Sequence, residues 1–266
     1  MKKTSVLRVL SLAILALLIL PLLASCKSKN GGDDTGENNQ KQDSIIIGGI
    51  GPLTGTASTY GTSVKRGAEI AIDEINTAGG INGVKLKLLF EDDEAEGIKA
   101  KAAYEKLMDN GMQILMGAVT SGSSVSLNDL VKKDNILQVT PSASQLEAAQ
   151  NPSTFRICFT DPLQGQEMAK YVFNTLKYTK AAIIFNQDDS YSTGMKDAFK
   201  TLWKKLGGTV SEEVSFTKTT QDFNAQLTKI ASSDAEFIFL PIYAEKAAQI
   251  AQTAKEKNVK LPMVGG

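Results

Sequence analysis

From Ser44 onward, short runs rich in Val, Ile and Leu alternate with longer amphipathic stretches, and glycine, serine or asparagine stands at most junctions. Runs 45–50, 84–90, 113–117 and 136–139 have strand length, whereas 60–78 and 98–108 carry a helical period. In the first helix Val64, Ala68, Ala71, Ile75 and Ala78 fall on one face, and Gly79-Gly80 ends it. Strands apolar on both faces, each followed by a helix, confine the chain to an α/β fold whose parallel sheets are covered on both sides.

The register changes after Asn151-Pro152. A strand is expected over 155–159, then a crossover over 160–165, and then a second βα series. Its helices span 164–176, 194–206, 222–231 and 243–257, and its strands 181–185, 209–216, 237–240 and 262–264. Met195, Ala198, Phe199, Leu202, Trp203 and Leu206 form an i, i+3, i+4 stripe, so Trp203 belongs to a core. The pattern predicts two α/β lobes, 44–159 and 160–266, joined near 158–163. The last residues, Gly265-Gly266, follow a strand and leave the second lobe short of strands, so it is expected to be incomplete.

Composition narrows the function. Lys+Arg 29 balance Asp+Glu 29 and no basic aromatic stripe is present, which disfavours a nucleic-acid partner. The 266 residues include no histidine. The usual general base, the commonest metal ligand and the histidine-dependent triads are therefore unavailable, and neither an enzyme nor a metal or other cofactor is expected.

Residues 1–25 read as a secretory signal peptide. Lys2, Lys3 and Arg8 precede an apolar run from Val9 to Leu20, and Leu23-Ala24-Ser25 brings small residues up to Cys26. Residues 26–43 are polar and form a flexible tether. Removing the leader takes those three basic residues with it and leaves the remainder mildly acidic. The Leu-Ala-Ser-Cys order resembles a bacterial lipobox, which implies a lipid on Cys26 and a globular part held just outside a membrane. The remaining cysteine, Cys158, lies in Phe155-Arg156-Ile157-Cys158-Phe159 and reads as a buried core residue.

Two strand ends carry the densest chemistry. The run through Gly117 leads into Thr120-Ser121-Gly122-Ser123-Ser124, and the run through Val139 leads into Thr140-Pro141-Ser142-Ala143-Ser144. Helix starts offer unpaired N–H groups, and the hydroxyls of Ser121, Ser123 and Ser144 add donors suited to a small anion. The Ser142 carbonyl is placed to accept from a cation, so together the loops suit an amino acid zwitterion. Helix capping is the alternative use of the same serines. Tyr60, Tyr191 and Tyr243 each follow a strand and suggest the walls of a cleft between the lobes.

Other groups read as structural. Glu91-Asp92-Asp93-Glu94 fits capping better than metal binding, and Asp189 or Ser190 caps the helix that follows, with Tyr191 projecting from the loop. Gly49 to Gly55 has the wrong spacing for a dinucleotide loop, and Pro52 lacks an N–H that a pyrophosphate needs.

The stretches Ile47–Gly55, Tyr60-Gly61, Gly67-Ala68, Ile75-Asn76, Gly79–Gly83, Glu91–Asp93, Gly117–Ser124, Pro141–Ser144, Asp161–Gly165 and Asp188–Gly194 resemble, in order and spacing, the type I periplasmic solute-binding proteins of ABC importers, specifically their Leu/Ile/Val-binding branch. The resemblance implies a two-lobed clamp, monomeric, that closes on a free amino acid or similar small carboxylate and presents it to a membrane permease. It also implies that Ser121 and Ser144 hold the α-carboxylate, and that the Ser142 backbone with the Ser144 hydroxyl takes the ammonium. Tyr60 then lines the side-chain pocket, and Tyr191 and Tyr243 close from the second lobe. Ser144 stands where threonine is usual and Thr120 where some members have cysteine. The acid that usually meets the ammonium would fall beyond Gly266. A sensory or regulatory receptor of the same fold, or a binder of another small carboxylate or amide, is the alternative implied function.

Overall fold

The computed structural model describes residues 44–265. The expected signal peptide, Cys26 and the tether lie outside the described residues.

The first half is a five-stranded parallel sheet with order β2-β1-β3-β4-β5. Its elements are β1 (Ser44–Gly51), α1 (Ser58–Thr77), β2 (Lys85–Asp92), α2 (Gly97–Asp109) and β3 (Ile114–Gly117), followed by α3 (Ser121–Ser126), α4 (Asn128–Asp134), β4 (Leu137–Thr140), a 3₁₀ turn (Leu146–Ala149) and β5 (Thr154–Arg156). The second half is a four-stranded parallel sheet with order β7-β6-β8-β9. It comprises α5 (Asp161–Asn174), β6 (Lys180–Asn186), α6 (Ser190–Leu206), β7 (Thr209–Phe216), α7 (Asn224–Ala231), β8 (Phe237–Leu240), α8 (Ala244–Glu256) and β9 (Met263–Gly265). This is the two-lobed α/β architecture expected from the alternation of strands and helices.

Apolar clusters pack against each sheet. In the first half Ile50, Tyr104, Leu107, Leu115, Leu127 and Val131 are buried together. In the second, Met195, Phe199 and Trp203 of α6 pack against Phe237 and Phe239 of β8. The Trp203 indole donates to the Thr209 carbonyl at 2.8 Å, so its one polar atom is satisfied inside the core. Gly117, at φ 140°, ends β3 where a side chain would lie 2.5 Å from the Ile50 carbonyl oxygen. Only glycine fits that conformation and that approach.

Three expectations are corrected. The proposed α1 stripe is not buried: Ala71 and Ala78 are exposed, and Gly61 is the buried residue of that helix. The helix is instead held to β2 by Asn76, whose amide donates to the Leu86 carbonyl (2.9 Å) and accepts from the Leu86 N–H (2.8 Å). The expected strand 155–159 shortens to Thr154–Arg156, and Phe155, Ile157 and Phe159 are exposed because β5 is an edge strand. Cys158 is half-buried rather than a core residue, since the chain leaves the sheet before reaching it.

Candidate functional site

All the strands are parallel, so the loops at their C-terminal ends gather at one edge of each sheet, and those two edges face one another. A chamber of about 260 Å³ lies between them, lined by Tyr60, Ser142, Ser144, Gln164, Tyr191 and Tyr243 among others. Five of the six candidate ligand residues meet there.

The sixth, Ser121, stands behind that wall. Its hydroxyl oxygen accepts the backbone N–H groups of Ser144 (3.1 Å) and Gln145 (3.2 Å), while Ser121 itself is 1% exposed. Capping does not account for it, since Thr120 is the N-cap of α3 and makes no side-chain cap. The two serine-bearing loops are joined at further points. Ser142 donates its hydroxyl to the Val119 carbonyl (2.7 Å), Thr140 to the Ala118 carbonyl (2.8 Å), and the Gln138 amide to the Gly117 carbonyl (2.8 Å). Arg156 on β5 closes the frame, reaching the carbonyls of Gln145 (2.6 Å), Ala143 (3.3 Å) and Ser144 (3.4 Å). Such a network fixes the loop backbone before any ligand arrives.

Aromatic rings form the opposite wall. Tyr191 and Tyr243 stack with centroids 5.1 Å apart, and Tyr60, from the first half, meets Tyr243 edge-on at 5.2 Å. The Ala244 N–H also donates to the Tyr60 hydroxyl at 3.4 Å, tying the halves together. Tyr191 does not project from a loop. It is the second residue of α6 and 8% exposed, because the helix begins at Ser190 rather than Gly194; Asp189 caps it, as expected, by accepting from the Tyr191 N–H (3.2 Å). Burial holds the Tyr191 hydroxyl above its usual range.

Two carboxylates gain importance from the folded chain. Asp161, at the start of α5, is 1% exposed, and neither side-chain oxygen has a well-aligned partner. Burial pushes its pKa to about 6, against the lowering effect of the Ser144 hydroxyl and Arg156. Asp189 is likewise raised to about 6, by burial first, with the Asp161 charge adding to it. An unsatisfied buried carboxylate next to Ser144 suits a positively charged group. The Asp-Pro pair at a helix start reads locally as a capping signal, so no sequence pattern singled out this role. Gln164, one turn along the same helix, lines the chamber with a buried and unpartnered amide oxygen.

The acids at the end of β2 organise the rim. Asp92 accepts from the Leu53 N–H (2.8 Å), the Thr54 hydroxyl (2.6 Å) and the Glu94 N–H (2.9 Å), binding the loop after β1 to the loop after β2. Asp93 accepts from the Ala95 N–H at 3.0 Å. The expected capping role is corrected: α2 starts after Glu96 without a side-chain cap, and Asp92 and Asp93 brace loops instead.

This arrangement is a cleft between two lobes with a polar floor and an aromatic wall, and the sequence profile described as periplasmic binding protein matches residues 44–266. The chain belongs to the periplasmic binding protein family. Among its relatives in that family, a Leu/Ile/Val-binding protein homolog from Brucella melitensis is 35% identical over 224 residues, covering 84% of this chain and 61% of that protein. The Leu/Ile/Val-binding protein BraC3 of Rhizobium johnstonii is 33% identical, with the same coverage. Among solved periplasmic binding proteins, a leucine-binding protein from Thermotoga maritima superposes with a TM-score of 0.78 at 26% identity, covering 84% of this chain and 63% of that one. The branched-chain amino acid transporter substrate-binding protein of Streptococcus pneumoniae, solved with isoleucine, gives 0.79 at 28% identity, covering 84% and 64%. The chain thus spans about three-fifths of the length of these relatives.

Proposed function

We propose that this protein is the extracytoplasmic substrate-binding component of an ABC importer, capturing a free amino acid of the branched-chain type between its two halves and delivering it to a membrane permease. Ser121 and Ser144 bind the α-carboxylate in this reading, and the Ser142 carbonyl with the Ser144 hydroxyl takes the ammonium. Asp161, placed behind Ser144, supplies a compensating negative charge. Tyr60, Tyr191 and Tyr243 enclose the side chain. The observation that carries the reading is the convergence of the two serine loops and the three tyrosines on one chamber. Relatives named for leucine, isoleucine and valine support the choice of solute. Lipidation at Cys26 tethers the protein to the membrane through residues 26–43, the binding domain being monomeric.

Capture needs no chemistry, only a closed state that binds the solute better than the open one. The test is titration calorimetry of the purified protein against the twenty amino acids, repeated with Ser144→Ala. The reading expects heat with a branched-chain amino acid and a loss of about 10- to 100-fold in the variant, as one charge-assisted hydrogen bond disappears. Incorporation of labelled palmitate, abolished by Cys26→Ala, tests the anchor.

A further inference from the structure

A second and larger chamber of about 490 Å³ adjoins the first, sharing Thr120 and Tyr243 with it. Its lining sets Glu96, Asp188 and Asp189 against Lys218 and the N-termini of α2 and α6. This mixture gives no dominant sign with which to select a ligand. Its distinctive feature is the contact that spans it.

Lys218, in the loop after β7, donates its ammonium to the Glu96 carboxylate at 2.8 Å and to the Glu94 carbonyl at 3.4 Å. Glu96 is the N-cap residue of α2, in the loop after β2. Both loops leave outermost strands of their sheets, whereas the link between the halves leaves β5, the outermost strand on the far side of the first sheet. With four strand spacings between β2 and β5, the contact sits about 19 Å from the link, so each 10° of opening parts it by about 3 Å. No contact between the loops nearer the link is stretched as far.

The pair is also built to exchange. Lys99, from the same half as Glu96, lies 3.5 Å from that carboxylate and 2.7 Å from Glu94. On opening, Glu96 keeps one cation and leaves no orphan charge. On the other side, the Lys218 backbone N–H donates to Asp188 at 2.9 Å, which fixes the position from which the side chain reaches across. The side chains of Lys218 and Glu96 are 44% and 40% exposed, so the attraction is modest and subject to salt.

We propose that Lys218 and Glu96 form a reversible electrostatic latch at the end of the cleft farthest from the link, biasing the empty protein toward its closed form. The latch acts on the balance between open and closed states whatever solute is bound. Its test therefore uses the protein without solute and does not depend on which amino acid it carries.

Spin labels at Lys101→Cys and Lys229→Cys, with both native cysteines changed to serine, report the distance between the halves by double electron–electron resonance. Lys218→Glu is expected to raise the open-to-closed ratio about two- to fivefold, the range of an exposed ion pair. Sodium chloride at high concentration is expected to do the same to the unaltered pair and to have little effect on the variant. Combining Lys218→Glu with Glu96→Lys is expected to restore the original distribution. An unchanged distance distribution in both Lys218→Glu and the milder Lys218→Gln, together with no response to salt in the parent, overturns the latch.

Discussion

The hydroxyl oxygen of Ser121 accepts the backbone N–H of Ser144 at 3.1 Å, so a side chain at the start of α3 sets the position of the loop that follows β4. Ser121 accepts from Gln145 as well, and neither bond uses its own hydroxyl proton. The two serines therefore differ in kind. One builds the loop, and the other is carried by it.

Their substitutions should separate accordingly. Ser121→Ala strands one buried and one part-buried N–H group and is expected to lower stability by about 1–3 kcal/mol as well as weakening solute binding. Ser144→Ala is expected to weaken binding with a stability change under about 1 kcal/mol. Urea unfolding beside calorimetry checks both, and equal stability losses would contradict the division of roles.

Arg156 braces the same loop through three carbonyls without lining the chamber. Arg156→Met keeps much of the side-chain length and removes the donors. Affinity is expected to fall by about tenfold as the loop loosens, with faster amide exchange at residues 143–145. Hydrogen exchange followed by mass spectrometry measures that change directly.

Asp161 gives a pH signature. Its folded pKa, about 6, lies above the reference value of 3.8, so the native state holds a proton that the unfolded state releases between those values. The stabilisation is complete below about pH 4 and is lost as pH rises through 6. Asp161→Asn mimics the protonated form. It is expected to be more stable than the parent by about 2 kcal/mol at pH 7 and to match it near pH 4, while losing affinity for a zwitterion. Melting temperatures across that range test the sign; a variant less stable than the parent at pH 7 would contradict it.

Trp203 tests the second core. Phe199 stacks on it at 5.3 Å, and its indole N–H is spent on the Thr209 carbonyl. Trp203→Phe leaves that carbonyl short of a donor and a cavity beside Phe237, so a loss of about 2–4 kcal/mol in unfolding free energy is expected.

Much of the fold was legible because it rests on short-range signals. Apolar runs of strand length, glycines at helix ends and the stripe through Trp203 each depend on neighbouring residues in sequence. The edge of the first sheet was not legible, since Phe155, Ile157 and Phe159 look like any buried run and only strand order shows that β5 has one neighbour. The serine loops could be found because hydroxyls and a glycine cluster at strand ends. Asp161 and the Lys218 to Glu96 contact could not, because burial and contacts across 122 positions of chain arise only from the packing of the two halves.

The most direct measurement is calorimetric titration of the purified protein with leucine, isoleucine and valine, then with the remaining amino acids, in parent and Ser144→Ala forms. The account predicts saturable heat with at least one of the three, and affinity about 10- to 100-fold weaker in the variant. Absence of heat with all twenty, or equal affinity in both forms, would contradict it.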